Sequence, residues 1–169
     1  MQIRIANLND LAQLAALLKR VVPAMHAAGN LQWDDGYPNA EVFTNDIERG
    51  QLWVAEIDNS VVGVIAITGD IEPDYMQADW DHAEAALVIH RLAVDPEFRG
   101  AGIARALMTQ AEIVAASKDI AVIRVDTNIE NQATQKLFPG LGYRFAGEIS
   151  LTMRPGLRFF CYEKRLSTH

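Results

Sequence analysis

The sequence predicts an α/β chain with elements in the order β-α-α-β-β-β-α-β-α-β-β. Two patterns alternate along it: segments whose apolar residues recur at helical spacing, and short apolar runs bounded by turn residues. A third observation is an apolar run that passes through Arg99-Gly100-Ala101-Gly102 straight into an amphipathic segment, a strand-turn-helix junction. The 169 residues suit one domain over 1–169, and no repeat, linker or low-complexity tract marks a second. A chain of this size buries about 70% of the surface it exposes unfolded and needs no staple.

Ile3 to Ala6 reads as a strand. Leu11, Leu14, Ala15, Leu18, Val21, Val22 and Met25 then repeat as one helix face, capped by Asn7 or Asn9 and ending near Gly29. Residues 30–38 carry loop chemistry, and 39–49 form a second helix closed by Gly50. Leu52 to Ile57 and Val61 to Thr68 pair as a hairpin around Asp58-Asn59-Ser60. Gly69 to Asp81 is polar and contains Pro73, which predicts a surface loop. A long strand over 84–94 follows, in which the side chain of His90 alternates with Ala86, Val88 and Leu92. After the helix opened by Gly102 come a strand at 120–126, a helix at 131–138 and strands near 143–150 and 157–164.

Composition narrows the function. Half the residues are hydrophobic and 22% charged, which argues against disorder, and the net charge of −7 argues against general nucleic-acid binding. The single cysteine, Cys161, excludes an intramolecular disulfide and reads as a buried, inert thiol. No apolar run reaches membrane-spanning length and the first residues lack a secretion leader, so the cytoplasm is the expected compartment. His26, His82 and His169 stand at no metal-ligand spacing, and no metal is expected.

The junction carries the chemistry. Leu92, Ala93 and Val94 end the strand, Arg99 supplies a guanidinium, Gly100 and Gly102 let backbone amides approach an anion, and Ala101, Ile103 and Ala104 lead into a helix with its positive dipole end toward that anion. This is a diphosphate cradle without the Gly-Lys-Ser/Thr of a P-loop or the G-x-G-x-x-G of a dinucleotide fold. The pattern Arg99-x-x-Gly102-x-Ala104 resembles the acetyl-CoA signature of the GNAT acyltransferase superfamily, Gln/Arg-x-x-Gly-x-Gly/Ala. Residues 123–131 continuing to Leu137-Phe138-Pro139-Gly140-Leu141-Gly142-Tyr143 resemble the family's second recognisable segment, a strand, an Asn, a helix and a Leu-Gly-aromatic close. The element order matches that fold over essentially the whole chain. Gln32-Trp33, Tyr37-Pro38, Ile89-His90-Arg91 and Asp126-Thr127 together resemble a bacterial branch of small acyltransferases of unassigned substrate.

The resemblance implies a mixed, mostly antiparallel sheet flanked by helices, acetyl-CoA as cosubstrate, and transfer of its acetyl group to a small-molecule or peptide amine by direct attack through a tetrahedral intermediate. It implies no nucleic-acid or membrane partner and admits a homodimer. A splay between the two central strands would take the pantetheine arm, with Asn131 and the residue at Phe138 beside it; a plain helix cap also explains Asn131. Many members place a Tyr general acid where this chain has Phe138, which has no proton to give, and Pro139 predicts an early helix end there. A CoA thiol with a cysteine-like pKa of about 8.5 leaves as thiolate without that acid. An amide near Leu92 would stabilise the oxyanion.

For proton removal the candidates are Asp126, His90 and Glu84. Asp126 ends a strand where some relatives carry a catalytic Glu, although such an Asp also commonly accepts amides of the next loop, here Thr127 and Asn128. His90 is a relay or a satisfied buried imidazole, and Glu84 reaches the cleft or is a solvated strand-end carboxylate. Gln32, Trp33 and Tyr37 are expected to wall the acceptor, with Asp34 and Asp35 attracting an amine if they face inward. Arg91 pairs with CoA phosphate or with Asp95. A non-catalytic CoA-binding sensor on the same fold is the competing reading.

Overall fold

In the computed structural model, which describes residues 1–167, seven strands form one sheet. They are Gln2–Ile5 (β1), Leu52–Ile57 (β2), Ser60–Thr68 (β3), Leu87–Val94 (β4), Val122–Asn128 (β5), Arg144–Ser150 (β6) and Arg158–Arg165 (β7), in the spatial order β1-β2-β3-β4-β5-β7-β6. Only β4 and β5 run parallel; every other neighbouring pair is antiparallel. The helices are Leu11–Ala27 (α1), Ala40–Glu48 (α2), Ile103–Ser117 (α3) and Gln132–Gly140 (α4). Element order and sheet type follow the sequence expectation.

The sheet is covered on both faces. On one, α3 lays Ile103, Leu107, Met108, Ala111 and Ala115 on Ile65, Ile67, Ile89 and Ile123, and Phe138 of α4 joins the same cluster. Each fully buried aliphatic side chain contributes about 2 kcal/mol of transfer free energy. The approach is close enough that a Cβ on Gly63 would stand 2.9 Å from Ile103 Cγ2 and 3.1 Å from Leu107 Cδ1. The opposite face is shared. Leu14, Leu17, Val21 and Val22 of α1 and Phe43 of α2 cover β2 and β3, while Tyr75, Ala78 and Trp80 cover Val88, Phe159 and Cys161.

Asn7 caps not α1 itself but the 3-10 turn Leu8–Asp10 that leads into it: its side chain accepts from Asn9 N, and Asp10 Oδ2 accepts from Asn7 N in return, while α1 has Asp10 at its N-cap without a side-chain bond. Several boundaries differ from expectation. β4 starts at Leu87 rather than Glu84, and β5 runs two residues past Asp126. Pro139 does not end α4; it sits in the last turn, where the missing N–H costs a single helical bond, and the helix closes at Gly140. The segment predicted as a surface loop contains a 3-10 turn, Pro73–Gln77, opened by proline at its first position. Among the described residues no helix is long and apolar enough to cross a membrane.

Candidate active site

Two irregularities in the middle of the sheet create the site. The β4–β5 ladder ends at Ile89 opposite Val125, yet the strands continue to Val94 and Asn128, leaving a gap between them. β4 also carries a bulge: His90 pairs with Ala66 and Ala93 with Val64, so Arg91 and Leu92 together oppose Ile65, with Arg91 at φ +54°. A bulge leaves one residue outside the ladder and shifts side-chain parity. Before it Leu87 and Ile89 face α3; after it Leu92 and Val94 do. The alternation expected for His90 with Leu92 is therefore broken, and the two side chains belong to opposite faces.

Two cavities meet at the gap and share Met25, Leu92, Asn131 and Thr134. The larger, about 800 Å³, runs from Leu92, Ala93 and Val94 to Arg99, Gly100, Gly102, Ile103 and Ala104. Gly100 and Gly102 have φ +81° and +78°, which a glycine adopts without strain, and Gly102 caps α3 with no side chain over the helix end. A Cβ at either would meet no atom within 4 Å, so the requirement is conformational rather than steric. The first N–H groups of α3 lack intrahelical acceptors and open toward this cavity. Arg99 is exposed and makes no ion pair among the described residues. Ala101 lies in the turn but is not on the cavity wall. Asn131 Oδ1 caps α4 through Thr134 N at 3.3 Å, leaving its amide nitrogen for the cavity.

The smaller cavity, about 90 Å³, lies beyond the gap and is walled by Gln32, Trp33, Tyr37, Glu72, His90, Asp126, Phe138 and Arg154. Asp126 accepts a short hydrogen bond from the Tyr75 hydroxyl rather than from the amides of Thr127 and Asn128. Burial pushes its carboxyl up to about 6, Glu72 adds to the rise, and the Tyr75 bond opposes it. His90 is driven the other way, down to about 4, by burial and by the neighbouring Arg91, so it is neutral at neutral pH. Burial pushes the Cys161 thiol to about 12, consistent with an inert packing residue.

Other expectations are corrected by their partners. Arg91 binds neither phosphate nor Asp95: it grips Asp46 through two bonds of 2.6 and 2.8 Å and donates to the Tyr37 hydroxyl at 3.0 Å, while Asp95 is held by Arg20 at 2.6 Å. Glu84 is not at the cleft; it forms a two-bond ion pair with Arg165 on the surface. Asp34 does not face inward for an amine. Its Oδ1 accepts from Gly36 N and Tyr37 N, its Oδ2 from Arg154 at 2.9 Å, and neither it nor Asp35 lines the cavity. Trp33 is both plug and wall: it is buried in the α1 cluster and borders the cavity. Phe138 packs against Tyr143 and Tyr162. Among the described residues no three His, Cys, Asp or Glu could hold a metal ion, and His169 lies outside them.

The sequence reading missed Tyr75, Glu72 and Arg154. Pro73 opening a turn, with Tyr75 and Ala78 spaced by three, was the available signal for the first. Nothing local marks the other two.

A family model described as the acetyltransferase (GNAT) family matches residues 18–143. The uncharacterized N-acetyltransferase YesJ of Bacillus subtilis is 25% identical over 142 residues, 82% of this chain and 78% of that one. The crystal structure of a GNAT-family acetyltransferase from Streptococcus agalactiae superposes with TM-score 0.84 at 28% identity, covering 99% of this chain and 96% of that one. The structure of yncA from Salmonella typhimurium with its cofactor acetyl-CoA superposes with TM-score 0.71 over 100% and 95% of the chains; at 18% identity that likeness is one of fold. The match to the family model spans well over half of the sequence, and this chain belongs to the GNAT acetyltransferase family, an acyltransferase by its domain.

Proposed function

We propose that this chain transfers the acetyl group of acetyl-CoA to a primary amine of a small molecule or peptide. The observation that carries this reading is the meeting, at one gap in the sheet, of an anion cradle and a small cavity holding a carboxylate of near-neutral pKa. The residues fit the cosubstrate: Arg99 and the α3 N-terminus suit the diphosphate, the open edge of β4 at Leu92, Ala93 and Val94 suits the amides of the arm, and the Asn131 amide faces the same channel. Acetyl-CoA supplies an acetyl thioester; the amine nitrogen bonds to its carbonyl carbon, the C–S bond breaks, and CoA departs as thiolate.

The chain's own residues do the rest. An amide freed by the Arg91–Leu92 bulge donates to charge developing on the carbonyl oxygen, in a site where preformed donors act strongly. Asp126, ionised above about pH 6, takes the ammonium proton directly or through one water and passes it to solvent, and the second proton, shed by the nitrogen as the amide forms, leaves by the same route; the raised pKa makes Asp126 a better base than an exposed carboxylate. An amine with a pKa of about 10.4 arrives protonated, so this step is needed. His90 stays neutral and serves as part of the cavity wall. Phe138 gives no proton, which fits a thiolate leaving group.

That same Phe138 favours a second reading, a CoA-binding sensor without turnover. Incubation with acetyl-CoA and a panel of primary amines, following thiol release, separates the two. Amine-dependent release above the hydrolysis blank is expected. Tight CoA binding with no release on any amine would overturn the transferase reading in favour of the sensor.

A further inference from the structure

We infer that the acceptor is a small amine that also carries a carboxylate, a zwitterion of the amino-acid class, bound with its ammonium toward Asp126 and Glu72 and its carboxylate on Arg154; this rests on the N-acetyltransferase reading. The acceptor cavity holds four charged groups, and they are not equally committed. Arg91 is spent: three of its N–H groups serve Asp46 and Tyr37, and it is buried with them. Arg154 is not. Among the described residues one nitrogen, Nη1, donates to Asp34, and the guanidinium lies 5.0 Å from the Tyr37 ring centroid. With 18% of its side chain exposed, it keeps an edge of unused donors on the cavity wall. A guanidinium has five donors in a fork that matches a carboxylate.

Arg154 is also placed rather than dangling. Asp34 holds one side, and Asp34 is itself fixed by Gly36 N and Tyr37 N. The loop that carries Arg154 is tied to the 3-10 turn by Thr152, whose N and Oγ1 bond Asp74 at 2.8 and 2.9 Å, and by Gln77, whose side chain bonds Ser150 O at 2.9 Å. The same turn follows Glu72 and carries Tyr75, the partner of Asp126. Both charge signs are therefore held on one framework. Glu72 has no side-chain hydrogen bond or ion pair among the described residues and borders the cavity with Asp126. A bare amine would leave the Arg154 edge without an anion. A peptide N-terminus would place an amide where the carboxylate belongs, with no anion for the Arg154 edge.

The test compares matched pairs: alanine with ethylamine, leucine with isoamylamine, phenylalanine with phenethylamine. For each, kcat/KM is corrected for the neutral fraction of the amine. The amino acid is expected to exceed its decarboxylated partner by about 10-fold or more, the scale of a charge-assisted bond. Arg154→Gln is expected to bring that ratio toward one, chiefly through KM for the amino acid, with Arg154→Lys retaining part of it. A wild-type ratio of one or less, or a ratio indifferent to Arg154→Gln, overturns the inference. If no amine of either kind is acetylated while acetyl-CoA binds, the transferase reading has failed, and melting in the presence of CoA decides this one separately: selective stabilisation by amino acids supports it, and equal or absent stabilisation overturns it.

Discussion

The two ends of the cleft are built by different means. The end proposed for the cofactor is built chiefly from backbone: two glycines at positive φ and the open N-terminus of α3, beside the exposed Arg99, all within Arg99 to Ala104. The end proposed for the acceptor is built from side chains of four separate places: Tyr37 before α2, Glu72 and Tyr75 around the 3-10 turn, Asp126 on β5 and Arg154 after β6. The first end keeps its geometry so long as a short stretch of chain does. The second depends on long-range ties such as Asp74 to Thr152 and Asp34 to Arg154, and so it is the end that a family can vary while keeping one cosubstrate.

The sharpest way to break this division is Asp126→Asn. Turnover is expected to fall by about 10² to 10⁴ while the acetyl-CoA Kd is unchanged, read by thiol release and by titration calorimetry. Equal loss of affinity would join the two ends into one. Next in size, Arg99→Ala should weaken acetyl-CoA binding by about 10-fold with kcat at saturation held; unchanged affinity would remove the diphosphate role. Tyr75→Phe sharpens the picture of the acceptor end. The Tyr75 bond holds the Asp126 carboxyl down against burial, so its loss should move the acid limb of the kcat/KM profile from near pH 6 to higher pH. An unmoved limb would mean that another group sets it.

The smallest effect concerns stability. The folded pKa of Asp126 lies above its unfolded value of 3.8, at about 6, so the folded state favours the protonated carboxyl. Its contribution is complete below the unfolded pKa and is lost as pH rises through the folded one. Asp126→Asn, which carries no charge to desolvate, should therefore raise the melting temperature by a few degrees at pH 8 and change it little at pH 4. A fall at pH 8 would show that the ionised carboxylate supports the fold.

Legibility followed the same division. Gly102 and Arg99 were readable because a cradle made of backbone needs particular residues at fixed short spacing. Asp126 was readable as a strand-end carboxylate, but its partner was not: Tyr75 lies 51 positions away in a segment whose polar residues and Pro73 read as an exposed loop, although Tyr75 and Trp80 pack in the core. The bulge at Arg91 left no mark, since neither Arg nor Leu announces a positive φ, and without it the parity of β4 was assigned wrongly for Leu92. Pro139 misled in the opposite sense. A proline in the final turn forfeits only the single bond its own N–H would have made, and burial of Phe138 beside Tyr143 and Tyr162 holds the turn closed. Charged pairs such as Arg91 with Asp46 depend on the packed helices and could not be chosen from composition.

The central claim, that the gap between β4 and β5 is an acetyl-CoA site, is tested most directly by melting the purified protein with and without acetyl-CoA, with ATP and NAD as controls. At ligand near 100 times its Kd, mass action adds about 2.7 kcal/mol, which for a chain of this size raises the midpoint by roughly 5 to 10 °C. A rise of that size, selective for acetyl-CoA, is the predicted result. No rise at millimolar acetyl-CoA, or an equal rise with ATP and NAD, would contradict it.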